Sequence, residues 1–201
     1  MSITTYAELK TAIADFLDRD DLAAQAGTFI ALAEARIARD LRHWKMEKRV
    51  TTNVDERYEN LPFDWLRIKS ISHTDGALIT PISESEMGGL RARSSTAGKP
   101  TSMRISADQI EFYPVPDQSY EITMTYTARI HPLSDVDYRN WLLIDAPDIL
   151  LYGALMQSAP YLGEDARVSV WGSLYQSGVE ALNTESESSV VSGPISMRIP
   201  R

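Results

Sequence analysis

The first 43 residues place apolar side chains at the spacing of amphipathic helices. Thr5 and Glu8 have the spacing of a capping box, in which each side chain binds the other's backbone, so a helix is predicted to begin there. The apolar positions of this helix are Leu9, Ile13, Phe16 and Leu17. Their period of three to four residues indicates that they share one buried face.

A second amphipathic helix is predicted after Asp20 and Asp21, which break the first helix and cap the next. Its apolar side is rich in alanine, which allows another helix to come close. The apolar positions are Ala26, Phe29, Ile30, Ala33, Ile37 and Leu41. We expect the two helices to form an antiparallel hairpin.

Between residues 44 and 132 the helical period gives way to alternation, which is typical of half-buried strands. Strands are predicted at 49–52, through Ile68 and Ile71, at 78–79, at 110–112 and at 120–126. The last two flank a Pro-rich turn at 114–118 and are expected to form a hairpin. Ser83 and Glu86 are a second capping box, which predicts a short helix up to Arg93. About five short antiparallel strands indicate a small sandwich or barrel.

Helical spacing returns near Asp145 and continues to about Asn183. Asp145 is predicted to cap a helix with Pro147 in its first turn, where proline is tolerated. Residues 149–157 are nearly all apolar, so this helix is expected to be buried on most sides. A last helix, from about 164 to 183, has its apolar face at Val168, Trp171, Tyr175, Val179 and Leu182.

These elements predict an α+β fold in which N-terminal and C-terminal helices form one bundle and a small antiparallel β module is inserted between them. The predicted divisions are 1–43 and 133–184 for the two parts of the bundle, 44–132 for the β-sandwich or barrel, and 185–201 for an extended C-terminal arm.

The predicted arm begins with serine and glutamate and ends with alternating apolar positions between Pro194 and Pro200. A solvated terminus has no need of this alternation, whereas a strand that docks on a partner does. The predicted docking residues are Val190, Val191, Ile195, Met197, Arg198 and Ile199. A frayed terminus is the alternative.

The composition of the chain argues against several classes of function. The 201 residues include no cysteine, which excludes disulfides and thiolate metal sites, and the formal net charge of -8 argues against nucleic-acid binding as the main role. The N-terminal sequence lacks the pattern of a signal peptide, and no apolar run reaches membrane-spanning length. We therefore expect a protein made inside the cell, with no membrane partner.

The basic side chains are concentrated near the end of the second predicted helix. Arg36, Arg39 and Arg42 recur every three residues, which would place them on one face opposite Ile37 and Leu41. Two interpretations remain open. The arginines form a solvated helix face, or they contact a neighbouring subunit or line a channel.

A search for chemistry finds no catalytic, cofactor-binding or metal-binding residues. His43, His73 and His131 lie in different segments without partners at ligand spacing and are interpreted as surface or packing residues. Asp135 and Asp137 lack the other residues of a calcium loop. No phosphate-binding glycine loop or nucleophile motif is present. The sequence predicts no enzyme and no cofactor.

The order and spacing of several segments resemble a known family. A Thr-Tyr-Ala-Glu-Leu opening precedes two alanine-rich helices, the second of which ends with residues 34–42. The later segments, in order, are 61–66, 98–100, 110–116, Tyr126, 145–148 and 150–155. This order resembles the head-to-tail adaptor proteins of tailed bacteriophages, of the podovirus type related to tail tubular protein A. The resemblance covers nearly the whole chain, and its specificity lies in the order of the segments.

The resemblance implies a structural virion protein at the head-tail interface, made in the cytoplasm of a host bacterium. It implies a homo-oligomeric ring, usually of twelve subunits, that binds the portal protein above and a tail or nozzle protein below. Genomic DNA would pass through the channel without sequence-specific binding, and the C-terminal arm would reach the portal. The alternative is a small hydrolase acting on cell-wall glycan, with a carboxylate as acid or base.

Overall fold

The structure, a computed structural model, describes residues 3–162 and 166–191. It contains seven α-helices and seven β-strands among these residues, which confirms the predicted α+β class. The chain forms two compact units, one of Met1–Lys45 with Ile130–Arg201, and the other of Met46–Arg129. Each unit is described separately below as the bundle unit and the sandwich unit.

The helices are α1 (Tyr6–Leu17), α2 (Ala26–Asp40), α3 (Glu84–Arg93), α4 (Trp141–Asp145), α5 (Pro147–Gln157), α6 (Ala159–Leu162) and α7 (Arg167–Val191). The strands are β1 (Glu47–Val54), β2 (Tyr58–Asn60), β3 (Trp65–His73), β4 (Thr80–Pro81), β5 (Ser102–Ser106), β6 (Gln109–Tyr113) and β7 (Tyr120–Ala128). Short 3-10 helices at Asp20–Gln25 and Trp44–Met46 complete the described elements.

Both predicted capping boxes are present. Thr5 accepts a hydrogen bond from the Glu8 N–H at 3.3 Å, and the Glu8 carboxylate accepts the Thr5 N–H at 3.0 Å. Ser83 and Glu86 make the same reciprocal pair at the start of α3. A capping box needs only four consecutive residues, so both helix starts could be predicted from sequence alone.

The bundle unit is built around α5, which packs against α1, α2 and α7. Five of the apolar residues predicted for the second helix are buried in α2, and Leu41 is buried immediately after it. Gly153 of α5 permits a close crossing, because a Cβ there would lie 3.2 Å from the Cβ of Ala33 and 3.4 Å from the Tyr175 ring. The apolar residues of α5 are therefore covered on most sides, as predicted.

Two details of the bundle differ from prediction. Asp145 does not cap α5. It is the last residue of α4, a short helix capped by Asn140, whose side chain accepts the Leu143 N–H at 2.9 Å. Asp145 instead forms an ion pair with Lys45 at 2.7 Å. The predicted Pro147 in the first turn of α5 is confirmed.

The sandwich unit has two sheets, one of three antiparallel strands in the order β1-β7-β3 and one of four strands in the order β2-β6-β5-β4. The second sheet is antiparallel except for the β4–β5 pair. Buried side chains from both sheets form a shared core: Val54, Leu61, Ile71, Ile79, Met103, Ile110, Phe112, Ile122, Met124, Tyr126 and Ala128. Of the two architectures predicted, the structure is the sandwich.

The hairpin predicted between 110–112 and 120–126 is wrong. These residues belong to β6 and β7, which lie in different sheets. β6 instead forms a hairpin with β5, in which Ser106 pairs with Gln109 and Ala107 has a positive φ of 55°. Pro114 and Pro116 have no N–H to donate to a ladder, and the segment that contains them carries the chain from one sheet to the other. The strand predicted at 78–79 is also displaced, because β4 is Thr80–Pro81 and Leu78 makes only an isolated bridge to Ser72.

Candidate functional site

The three arginines predicted to share one helix face do not do so. Arg42 lies beyond the end of α2 at Asp40. Its backbone N–H donates to the Asn183 side chain at 2.6 Å, and its guanidinium donates to the Leu41 carbonyl at 2.6 Å. The helix ends because the chain becomes extended at Leu41, a change that three-residue spacing alone does not reveal.

Arg36 contacts residues of its own bundle. Its guanidinium pairs with Asp40 at 3.3 Å and lies 5.1 Å from the centroid of the Tyr175 ring. The Tyr175 hydroxyl donates to Asp40 at 3.0 Å, and burial followed by this hydrogen bond raises the pKa of Tyr175 above its usual range. Arg36 therefore joins α2 to α7 within one subunit.

Arg39 differs from both neighbours. It is exposed and forms no ion pair with any residue in 3–162 or 166–191. Beside Arg36, an open polar groove of about 520 Å³ runs along α7, lined by Met156, Gly172, Ser173, Gln176 and Glu180 among others. Of the three arginines, Arg39 remains the candidate for an intersubunit or channel contact.

The extended arm predicted from residue 185 does not begin there, because α7 continues to Val191. Ser186 is buried and its hydroxyl accepts the Trp44 N–H at 2.9 Å. Hydroxyls of Thr184, Ser188 and Ser189 donate to carbonyls three or four residues earlier, which satisfies these polar groups within the helix. Ser186 continues the helical spacing of Trp171, Tyr175 and Val179. This spacing predicts a longer helix, but the Ser- and Glu-rich composition after residue 184 favoured an extended arm.

Because α7 continues to Val191, some of the predicted docking residues are helical and the others come after residue 191 in the sequence. Val190 and Val191 lie in the last turn of α7. Ile195, Met197, Arg198 and Ile199 lie outside the described residues.

Two of the three histidines are buried. His43 stacks on Trp141 with ring centroids 5.1 Å apart, and burial lowers the pKa of its imidazole. The Nε2 atom of His73 lies 2.6 Å from the Pro100 carbonyl oxygen. Both rings take part in packing, whereas His131 is exposed. No group of three or more potential metal ligands is found in the described part of the chain.

The pKa of one half-buried acidic side chain of the bundle unit, Glu34, lies well above its usual value. Burial raises its pKa to about 7, although the hydrogen bond that it accepts from the Leu133 N–H at 2.8 Å lowers the value, as does nearby His131. The carboxylate thus ties α2 to the segment that follows Ile130.

We expect the contribution of Glu34 to the stability of the bundle to fall as the pH rises from about 5 to about 8. The folded carboxyl of Glu34 keeps its proton up to about pH 7, whereas the unfolded one releases it near 4.5, so the native state binds more protons between these values. The loss should be about 1–2 kcal/mol after allowance for partial exposure. Urea unfolding at both pH values measures it. Glu34→Gln, whose amide oxygen still accepts the Leu133 N–H, should remove this contribution; a pH dependence identical to that of the unmodified chain would contradict this assignment.

A buried charge cluster lies on the outer face of the four-stranded sheet. Glu111 is 1% exposed and accepts hydrogen bonds from Arg57 at 2.8 Å and Arg91 at 2.6 Å. Arg104 lies 3.5 Å from the same carboxylate and pairs with Glu84. Sequence reasoning missed this cluster, because it joins residues of α3, β5 and β6 to Arg57 in the turn before β2. It fixes α3 on the sheet.

The side chain of Phe63 is 97% exposed, and the turn that carries it is fixed by the hydrogen bonds of the next residue. The neighbouring Asp64 is buried; its carboxylate accepts hydrogen bonds from Lys48 at 2.5 Å and the Tyr126 hydroxyl at 3.0 Å. Its carbonyl accepts the Arg129 N–H at 2.6 Å. An aromatic ring presented to solvent on a fixed turn is a candidate contact for a partner.

An apolar groove of about 470 Å³ opens on one side of the sandwich, between β3 and the β4–β5 pair. Its walls include Ile68, Ile71, Leu78, Met103 and Ile105, with Arg67 and Lys69 among its lining residues. Leu78 is 71% exposed. On the other side of the sandwich, β1 is exposed at every position before Val54. Both sides of this unit therefore present surface that the described residues leave uncovered.

Comparison with known protein families supports this picture with a match over almost the whole chain. A family model described as SU10 adaptor protein matches residues 4–198. No curated protein matches the chain. Within the described residues, no helix combines the length and the apolar composition needed to cross a membrane.

Proposed function

The chain belongs to the SU10 adaptor protein family, and on that premise we propose that it is the head-to-tail adaptor of a tailed phage virion. In this role it binds the portal protein on one side and a tail or nozzle protein on the other. The family supports a structural role in a phage particle, in agreement with the resemblance found in the sequence. The podovirus type, related to tail tubular protein A, stays a prediction.

The observation that carries the proposal is the extent of the match. Residues 4–198 include every described helix and strand of both units, so the similarity rests on the whole arrangement and not on one motif. The exposed features are those of a protein that acts by contact: Arg39, which has no ion pair among the described residues, the exposed ring of Phe63 and an uncovered apolar groove.

The functional assembly is proposed to be a ring, with twelve subunits as the expected number, that extends the DNA channel below the portal. The net charge of -8 suits a channel through which DNA passes without sequence-specific binding. Ring subunits whose pairwise interfaces are small associate only weakly in solution, so assembly is expected on the portal.

Mass photometry of the purified chain, alone and with its cognate portal protein, tests this function. The complex should be heavier than the portal by about the mass of twelve copies of a 22.5 kDa chain. A portal whose mass is unchanged by excess adaptor would refute the proposed function.

Arg39 is proposed to contact a neighbouring subunit or to line the channel. Arg39→Glu should reduce the fraction of portal that carries a complete ring, while the melting temperature stays unchanged because the side chain is exposed and has no ion pair among the described residues. Arg93→Glu makes the same charge change at an exposed position of α3 and serves as the control. Equal ring formation by both variants and the unmodified chain would show that Arg39 belongs to a solvated face.

A further inference from the structure

The two sides of the sandwich are uncovered for the same reason. The strands at the edges of the three-stranded sheet are long, with eight residues in β1 and nine in β3. The strands at the edges of the other sheet are short, with three residues in β2 and two in β4. The three-stranded sheet, which has the longer edge strands, therefore projects beyond the four-stranded sheet on both sides.

The projecting part of β1 exposes side chains that point toward the core side of its sheet. Val50 pairs with Met124 and Thr52 with Ile122, and residues directly opposite in antiparallel strands share a face. Met124 and Ile122 are buried in the sandwich core, yet Val50 is 38% exposed and Thr52 is also exposed. The described residues therefore cover the inner face of this part of the strand only in part.

At the other side the same overhang leaves the groove. β5 pairs with β4 only at Ser102 and Met103, so the strand continues past its partner and Ile105 is 39% exposed. Leu78 and Ile105 form apolar walls opposite the inner face of β3. The groove thus lacks a strand at the position where β4 stops.

We propose that the β1 edge of one copy of this chain covers the β3–β4 groove of a second copy, with Val50 and Thr52 of the first directed at Leu78 and Ile105 of the second. The occupant is a second copy, because β1, the strand left uncovered, and the groove beside β4, where a strand is lacking, lie at opposite edges of the same unit. Contacts between opposite edges are head-to-tail, and such contacts close into rings when the rotation between copies permits.

One set of exposed charges near the two edges is complementary. Asp55 and Glu56, which follow β1, are exposed and form no ion pair with any residue in 3–162 or 166–191. Arg67 on the rim of the groove is likewise exposed and forms no ion pair within those ranges. A copy docked by its β1 edge brings this acidic loop toward the basic rim, although the exposed Arg49 of β1 approaches the same rim and reduces the attraction.

The size of the contact fits assembly on a template. A stable interface takes about 20–30 residues a side, and one edge strand with one groove supplies far fewer. The free protein is therefore not held as a dimer by this contact, and copies join when another surface gathers them. The inference rests on the proposed ring and specifies which surfaces of the sandwich units meet within it.

Disulfide trapping tests the contact, and because the chain has no cysteine, a disulfide between two copies can come only from the introduced residues. Two variants, Val50→Cys/Leu78→Cys and Thr52→Cys/Leu78→Cys, sample two registers of the strand in the groove. Oxidation of rings assembled on portal should give a ladder of covalent oligomers for at least one of them, since a disulfide forms only when the two Cα atoms lie within about 7 Å. Each single-cysteine variant should give no ladder.

Thr51→Cys/Leu78→Cys is the matched control, because successive residues of a strand point to opposite faces. Thr51 pairs with Thr123 on the outer face of the sheet, with their hydroxyls 3.0 Å apart. Rings that form normally by mass photometry but yield no ladder from either inner-face variant would overturn the contact and leave the proposed function standing. A ladder as strong from the Thr51 variant would also overturn it, and failure of the unmodified chain to form rings on portal would refute both.

Discussion

Glu111→Gln is expected to lower the free energy of unfolding of the sandwich unit by about 3 kcal/mol. The carboxylate is 1% exposed and neutralises Arg57 and Arg91, with Arg104 close by. Loss of its charge leaves Arg91 and Arg104 with Glu84 alone, and leaves Arg57 with no acidic partner among the described residues. Removal of one partner from a buried ion pair costs about 3–5 kcal/mol, and the lower end applies because the arginines retain some contact with water.

Glu84→Gln is the matched control for this variant. Glu84 pairs with Arg91 and Arg104 in the same cluster, but its side chain is 62% exposed. An exposed pair contributes about 0–1 kcal/mol, so the control should change stability little. Urea unfolding followed by circular dichroism measures both variants, and hydrogen exchange assigns the loss to the sandwich unit. Equal losses for the two variants would show that burial of Glu111 is not what gives the cluster its strength.

The features that sequence predicts well here are those determined by neighbouring residues. The capping boxes at Thr5 and Ser83, the proline in the first turn of α5 and the buried face of α2 all depend on residues within a few positions of one another. Such local chemistry is encoded in a short window of sequence, so the α+β class followed from the pattern.

The features that sequence did not predict depend on distant partners. β6 and β7 alternate like the strands of a hairpin, but each pairs with a strand that is selected by the whole sandwich. Glu111 looks like a polar residue within an alternating strand until three arginines from other elements are placed around it. The continuation of α7 likewise depends on Trp44, whose backbone binds Ser186 across 142 positions of sequence.

The candidate site was predicted in part. The sequence drew attention to Arg36, Arg39 and Arg42, but the partners of Arg36 and the end of α2 before Arg42 are tertiary features. The groove and the overhang were not foreseen, because both follow from unequal strand lengths in two sheets. Strand lengths are set by pairing, which a single alternating pattern does not determine.

Deletion of residues 192–201 should leave folding unchanged and abolish stable binding to the portal. Every buried side chain among the described residues lies at or before Ser186, so the truncated chain keeps its core and its melting temperature. The deleted segment carries Ile195, Met197 and Ile199 at alternate positions. We propose that these side chains fill pockets on the portal along a strand-like pairing, which Pro194 and Pro200 limit in length.

The size of the effect follows from the apolar side chains. Burial of each contributes about 1.5–3 kcal/mol, whereas ordering a segment on its partner costs roughly 2–5 kcal/mol. Loss of all three should therefore weaken binding by more than about tenfold, since each 1.4 kcal/mol is a factor of ten. A portal pull-down measures the triple variant Ile195→Ser/Met197→Ser/Ile199→Ser beside the control Ser196→Ala. The comparison tests whether the apolar residues, and not the polar residues between them, contact the portal. Undiminished capture of the truncated chain would return this segment to the role of a solvated terminus.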